Sequence, residues 1–472
     1  MMKFNWKFWS RPEFATILKI TWPAFIELVL SAMFGMVDMM MLGQSAASDV
    51  AIAAVGLTNN PMNLFLGTFA AVNVGTTTAV AWAIGAGRRD EARSLARHSL
   101  VLNFATGLAV GLPGFLFASP IVAFMGADSQ TLAPASSYMA IVAIGLIPQA
   151  ITLSITSSLR GAGLTRLPML YNLLANLLNV VGNYVLIFGK FGAPALGVTG
   201  AAISTSLSRL IGCTLSVGVL FLVNHEIRLN LRERFRIKLA VIGRILKIGL
   251  PAALEQVILQ TGFVLFARTV SGLGTAVFAA HQIGLSICGL TFSPSSAFGV
   301  AATTLVGQSL GAGKPALAKT YARTTHHLAL ICACLVGLSF LLFSHSFALL
   351  YTSDLVVAGL AGTAIKFMAV AQPGQSTNLT LAGALRGAGD TKFPLYASVA
   401  GIWIFRVLLA MLFVKVFHWG LMGAWFSITL DQYARAAIIW LRFRSDRWLK
   451  MTVRPLQQLE HQSSAVDACT CK

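Results

Sequence analysis

Long apolar runs, each interrupted by a short polar or glycine-bearing stretch, succeed one another from about residue 15 to residue 441. A helix needs about 20 apolar residues to cross the hydrocarbon core of a bilayer. Twelve runs have that length: 15–41, 50–82, 95–118, 135–158, 168–189, 198–223, 242–268, 277–306, 323–350, 357–383, 394–416 and 421–441. None alternates at every second residue, which excludes a transmembrane β-barrel. The expected architecture is an all-α polytopic membrane protein of twelve spans.

Composition agrees. Of 472 residues 56 % are apolar and 11 % charged, against about 25 % charged in soluble domains. The net charge of +19 would suggest nucleic acid in a soluble chain. Here the basic residues lie between apolar runs and read as orientation signals, so no nucleic-acid partner is expected. Alternate loops hold Arg88, Arg89, Arg93 and Arg97, then Arg160 and Arg166, then a basic stretch over 224–247, then Lys314, Lys319 and Arg323, then Arg386 and Lys392; with the termini, that side carries 29 of the 35 lysines and arginines. The loops 42–50 and 118–134 have none. The positive-inside rule therefore places both termini in the cytoplasm. The expected division is a six-helix bundle over 1–223, a basic cytoplasmic linker at 224–247, a second bundle over 248–441, and a cytoplasmic tail over 442–472. The six cysteines are scattered and form no disulfide framework.

The halves repeat. Leu159-Arg160-Gly161-Ala162-Gly163, with Thr165, Arg166 and Pro168, returns as Leu385-Arg386-Gly387-Ala388-Gly389 with Thr391, Lys392 and Pro394. The same register carries Thr77, Thr78 and Gly85-Ala86-Gly87 onto Thr303, Thr304 and Gly311-Ala312-Gly313. Pro23-Ala24 with Glu27 matches Pro251-Ala252 with Glu255. An even number of spans per repeat makes the repeat parallel, and such pairs of bundles work by alternating access. The paired glycines suit tight turns with close backbone approach, or simply cap helices.

Ionisable residues within spans are costly and point to function. The acids there are Glu27, Asp38, Glu255 and Asp431. Asp38 sits among Phe34, Met36, Met39 and Met40, where desolvation disfavours its charged form. Such a group suits a carrier that takes up and releases protons. The fifth span carries Asn172, Asn176, Asn179 and Asn183 at helical spacing; amides on one face must meet protein or a wet cavity rather than lipid. Asp38 and Asn183 fall at similar depth, which suggests one polar pocket; a packing seam is the plainer alternative. Glu27 and Glu255 follow Pro23 and Pro251 by four residues and suit hinge or site roles, or helix–helix hydrogen bonding. Arg209, Lys366, Arg406 and Asp431 are candidate buried counter-charges, and Asp431 with Arg435 has i, i+4 spacing.

Other chemistry is absent. Gly311-Ala312-Gly313-Lys314-Pro315 is no phosphate loop, because Gln308 stands where glycine is required and Pro315 where serine or threonine is. Cys469 and Cys471 make neither a prenylation box nor a metal site. No nucleophile–base pair stands out, so the chain does not read as an enzyme, and no metal or organic cofactor is expected.

The residues resemble the multidrug and toxic compound extrusion (MATE) transporters over nearly the whole chain. The likeness rests on twelve spans in two sixes, on Gly35-Met36-Val37-Asp38 followed by Leu42-Gly43, and on the paired Leu-Arg-Gly-Ala-Gly turns. It implies a secondary antiporter in the plasma (inner) membrane that exports cationic or amphipathic small molecules in exchange for protons or sodium ions. In that resemblance Asp38 is the coupling carboxylate. Asn179 and Asn183 match a fifth-span asparagine–aspartate pair four residues apart, with Asn183 in place of the acid. Glu255 stands about one turn from the family's seventh-span glutamate, and Gln372 and Gln375 replace a tenth-span aspartate. These departures favour protons, with a neutral-ligand sodium site through Gln375 as the alternative. A monomer is expected. A lipid-linked oligosaccharide flippase of a related fold is the competing reading; it would want basic residues such as Arg209, Lys366 and Arg406 in its cleft.

Overall fold

In lipid, each backbone N–H and C=O must find its partner within the chain, so the apolar runs become helices. A computed structural model describes residues 12–44, 48–230, 236–352 and 354–450. The basic N-terminal segment with Lys3 and Lys7, Arg232 and Arg234 of the linker, and the tail with Cys469 and Cys471 lie outside the described residues.

The first half comprises α1 (Pro12–Gly43), α2 (Ser48–Gly85), α3 (Arg89–Leu116), α4 (Ala118–Phe124), α5 (Leu132–Ile144), α6 (Leu146–Gly161), α7 (Arg166–Phe188) and α8 (Gly197–Leu222). The second comprises α9 (Leu239–Ser271), α10 (Thr275–Gly311), α11 (Pro315–Leu349), α12 (Leu355–Gly387) and α13 (Lys392–Val399). It continues through a π-helical stretch (Ala400–Leu408), the single turn α14 (Leu409–Met411), a second π-helical stretch (Leu412–Val416) and α15 (Gly420–Arg444). Among the described residues, ten helices are long and apolar enough to cross a membrane, or eleven if the bent pair α5–α6 is one span.

The structure refines the expected spans in two places. The span 135–158 is broken: α5 and α6 meet at 41°. Gly145 at the break has Ser206 of α8 where a Cβ would sit, at 2.8 Å, and Pro148 in the first turn of α6 has no N–H to continue the ladder. The last span, 421–441, is a helix but falls short of the others in apolarity, because Asp431, Gln432 and Arg435 lie in its middle.

The chain forms two compact units. The N-terminal unit is Val29–Ala253; the C-terminal unit takes in, among the described residues, 254–450 together with 12–28. Both boundaries fall inside a helix, within α1 and α9, shortly after the repeat-related Pro23 and Pro251. The opening of α1 thus packs Ile17 and Ile20 against Ala301, Leu305 and Leu328 of α10 and α11. The opening of α9 packs Val241 and Ile245 into the core of the N-terminal unit. The linker is docked rather than merely charged: Ile227 and Leu229 are buried in that core, and the Lys238 N–H donates to His98 Nε2 at 2.8 Å.

The repeat recurs as geometry. Gly87 and Gly313 have φ of +71° and +70°, and Gly163 and Gly389 have +82° and +84°. Each is the left-handed residue that ends a helix, a conformation glycine adopts without a Cβ penalty. Gly161 abuts the Thr77 carbonyl and Gly387 the Thr303 carbonyl, so that a Cβ would stand at 2.6 and 2.4 Å. Thr77 Oγ1 donates to the Ser157 carbonyl (3.1 Å) as Thr303 Oγ1 donates to that of Gly383 (2.8 Å). The paired glycines therefore serve both purposes, capping and close approach.

Candidate cation-coupling site

The buried stripe of α7 is Pro168, Tyr171, Ala175, Asn179, Asn183 and Ile187. Only two of the four asparagines lie on it; Asn172 and Asn176 are half-buried at its flank. α7 packs closely on α8, since Gly182 lies against Ser204 and Gly200 against the Leu186 carbonyl. That contact carries Asn179 and Asn183 to the second half of α1, all within the N-terminal unit.

Asn183 Nδ2 donates to Asp38 Oδ1 at 2.7 Å. Asn179 faces the same carboxyl. With its amide nitrogen inward it donates to both Asp38 oxygens, at 3.0 and 3.1 Å. The other end of the amide faces Ser204 Oγ and Thr205 Oγ1, at 3.4 and 3.5 Å. Ser204 Oγ also donates to the Asn179 backbone carbonyl at 2.9 Å, holding α7 and α8 in register. Among the described residues no lysine or arginine pairs with Asp38.

The remaining predicted residues are elsewhere. Glu255 is buried in the C-terminal unit, where Arg386 Nη2 donates to it at 2.7 Å and Ser398 Oγ at 2.8 Å. Glu255 is therefore neutralised by the arginine of the second Leu-Arg-Gly-Ala-Gly turn. Gln375 is buried in α12 with its Nε2 unpartnered, while the neighbouring Gln372 donates to Thr291 Oγ1 at 2.8 Å. Glu27 is buried in the same unit. Arg209 donates to the Val142 carbonyl at 3.2 Å, Lys366 is exposed, and Arg406 joins Asp431. Ser204, Thr205 and Tyr138, which lies within electrostatic reach of Asp38 and Arg209, were not singled out from the sequence. The run of hydroxyls in Ser204-Thr205-Ser206 was the available signal.

The sequence profile of the MatE family matches residues 23–185 and again 251–412, one match per repeat and together well over half the chain. The chain belongs to the MATE family. It is accordingly a multi-pass membrane transporter of small molecules, and not an enzyme. Among MATE relatives, the probable multidrug resistance protein NorM of Thermotoga maritima is 33 % identical over 444 residues, 93 % of each chain. Multidrug resistance protein PmpM of Pseudomonas aeruginosa is 31 % identical over 401 residues, 83 % of this chain and 82 % of its own. A solved MATE transporter, described as the outward-facing conformation of a multidrug resistance member of the MOP superfamily, superposes with a TM-score of 0.87 at 22 % identity, covering 96 % of this chain and all of its own. At that identity the last likeness establishes the two-repeat fold.

Proposed function

We propose that this MATE protein exports cationic or amphipathic compounds in exchange for protons, with Asp38 carrying the proton. The observation behind this reading is a carboxyl inside a span that is held by two amides and by no counter-cation. A bare charge there is costly, so Asp38 is balanced either by a proton or by a cation. A cationic substrate and a proton then compete for one group, which is the requirement for exchange. Asn183 Nδ2 donates to Asp38 Oδ1 at 2.7 Å and holds the carboxyl in place. The NorM and PmpM relatives are named multidrug resistance proteins, which supports drug export as the class of activity. Alternating access in a plasma or inner membrane, with both termini in the cytoplasm, completes the proposal. Sodium is the alternative coupling ion, since the amides and hydroxyls around Asp38 also supply oxygen ligands.

The test is ethidium-stimulated proton movement in proteoliposomes, with and without sodium. Wild-type protein releases protons on ethidium addition without sodium, and Asp38→Asn does not. Exchange that demands sodium would exclude protons as the coupling ion; full proton release by Asp38→Asn would remove Asp38 from the mechanism.

A further inference from the structure

We infer that the C-terminal unit carries an anion-binding site built on Arg406 and Arg435, suited to an organic carboxylate with an aromatic body. It is separate from Asp38 and does not rest on the proton-exchange proposal.

The charges there do not balance. Asp431, near the middle of α15, is completely buried, and its Oδ2 accepts from Arg406 Nη2 and Arg435 Nη2, each at 2.8 Å. Both arginine side chains are only 8 % exposed. Among the described residues Asp431 is the one carboxylate acting on Arg406. Among the described residues no other acid pairs with either arginine: Glu255 is held by Arg386, Asp390 by Arg442, Asp446 by Lys319, and Asp354 by the first turn of α12. Two guanidiniums therefore share one carboxylate, and one positive charge is left over inside a span. An uncompensated buried charge is strongly destabilising, so a purely structural cluster would have matched its signs.

The hydrogen bonding is unbalanced in the same sense. The Nε atoms of Arg406 and Arg435 are buried without partners. His281 of α10 is fully buried with neither ring nitrogen partnered, and Trp425 Nε1 is likewise unpartnered. Asp431 Oδ1 is the opposing acceptor without a partner in the cluster. Aromatic rings pack about the cluster: Arg406 lies 5.0 Å from the Phe263 ring and 5.9 Å from that of Phe266, and His281 lies 5.6 Å from Phe266 and 5.7 Å from Trp425.

The backbone is also unusual. Arg406 sits on the π-helical stretch Ala400–Leu408, a conformation that recurs at functional sites. Gly401 of that stretch admits the cluster, since a Cβ there would stand 2.4 Å from Asp431 Oδ1 and from Arg435 Cγ.

A single excess charge calls for a monovalent anion. The planar guanidinium fork matches a carboxylate, and the rings match an aromatic body. Chloride shares the charge but makes no use of the rings.

The experiment is calorimetric titration of the purified full-length protein in detergent with sodium benzoate, sodium acetate and sodium chloride, at constant sodium. Melting temperature is followed in parallel. Benzoate is expected to bind saturably, one per chain, and several-fold more tightly than acetate or chloride. Arg406→Gln leaves a neutral Asp431–Arg435 pair and should abolish binding. Asp431→Asn leaves two free guanidiniums and should bind benzoate more tightly, its melting temperature rising steeply with the anion. Should that variant fail to fold, the wild type and Arg406→Gln still decide. Asp38→Asn should bind benzoate as the wild type does. No saturable binding by the wild type, or unchanged binding in Arg406→Gln, would overturn the site. Chloride binding as tight as benzoate would overturn the aromatic-carboxylate assignment.

Discussion

At the scale of single residues, burial separates side chains that look equivalent in the sequence. Asn183 and Asn176 occupy the same helix, yet Asn183 is buried on Asp38 while Asn176 is half-buried at the flank. A hydrogen bond to a charged group contributes about 1.5–3 kcal/mol. Asn183→Ala should therefore lower ethidium–proton exchange by about tenfold or more, whereas Asn176→Ala should leave it near wild type; proteoliposome flux measures both. The same scale offers a pH prediction outside the membrane. His225, in the turn after α8, is held below the ordinary imidazole value by burial, with the Arg228 charge adding to this and its hydrogen bond to the Val219 carbonyl opposing it. A folded pKa below the unfolded one gives stability that is fully present above about pH 6.5 and is lost as pH falls through the folded value. Melting temperatures from pH 7 to 5 should fall more steeply for the wild type than for His225→Gln.

At the scale of elements, glycine sets how closely the helices pack. Gly161 and Gly387 each press on a threonine carbonyl of a neighbouring helix, with no room for a Cβ. Gly161→Ala and Gly387→Ala should each destabilise by about 1–3 kcal/mol, as overpacking does. Gly218 in α8 has nothing within 4 Å of its Cβ position, and Gly218→Ala should instead stabilise by about 0.5–1 kcal/mol. Melting in detergent distinguishes the two outcomes. The pairing of these glycines at one offset was visible in the sequence. Their contact with Thr77 and Thr303 was not, because a glycine's neighbours across a helix interface leave no mark on local pattern.

At the scale of the whole molecule, the two repeats share a frame but differ in chemistry. The N-terminal unit holds a carboxyl without a counter-cation, and the C-terminal unit holds Glu255 already paired with Arg386. Glu255→Gln should lower the melting temperature, at a cost of about 1–3 kcal/mol for leaving a polar partner unmet, while ethidium-driven proton release survives. Loss of that release with stability intact would return the coupling role to Glu255. The units' buried polar clusters also differ: Asp38 meets only amides, whereas Asp431 meets two arginines. A shared fold thus accommodates sites of different polarity, because the frame depends on turns and glycine contacts and not on the buried ionisable groups.

Hydrophobic run length, the alternation of basic loops and the internal offset were enough to establish the helical membrane architecture and its doubling, since both follow from local pattern. They also marked Asp38, because a lone acid in an apolar run is conspicuous. Tertiary structure alone decided which polar groups meet. It drew Asn179 and Asn183, but not Asn172 or Asn176, to Asp38; it joined Glu255 to Arg386 across 131 positions; and it set two arginines on Asp431. It also divided the chain within α1 and α9. The physical reason is the same in each case: an ion pair or a buried amide is defined by its partner's position in space, and a helix periodicity specifies a face without specifying what that face meets.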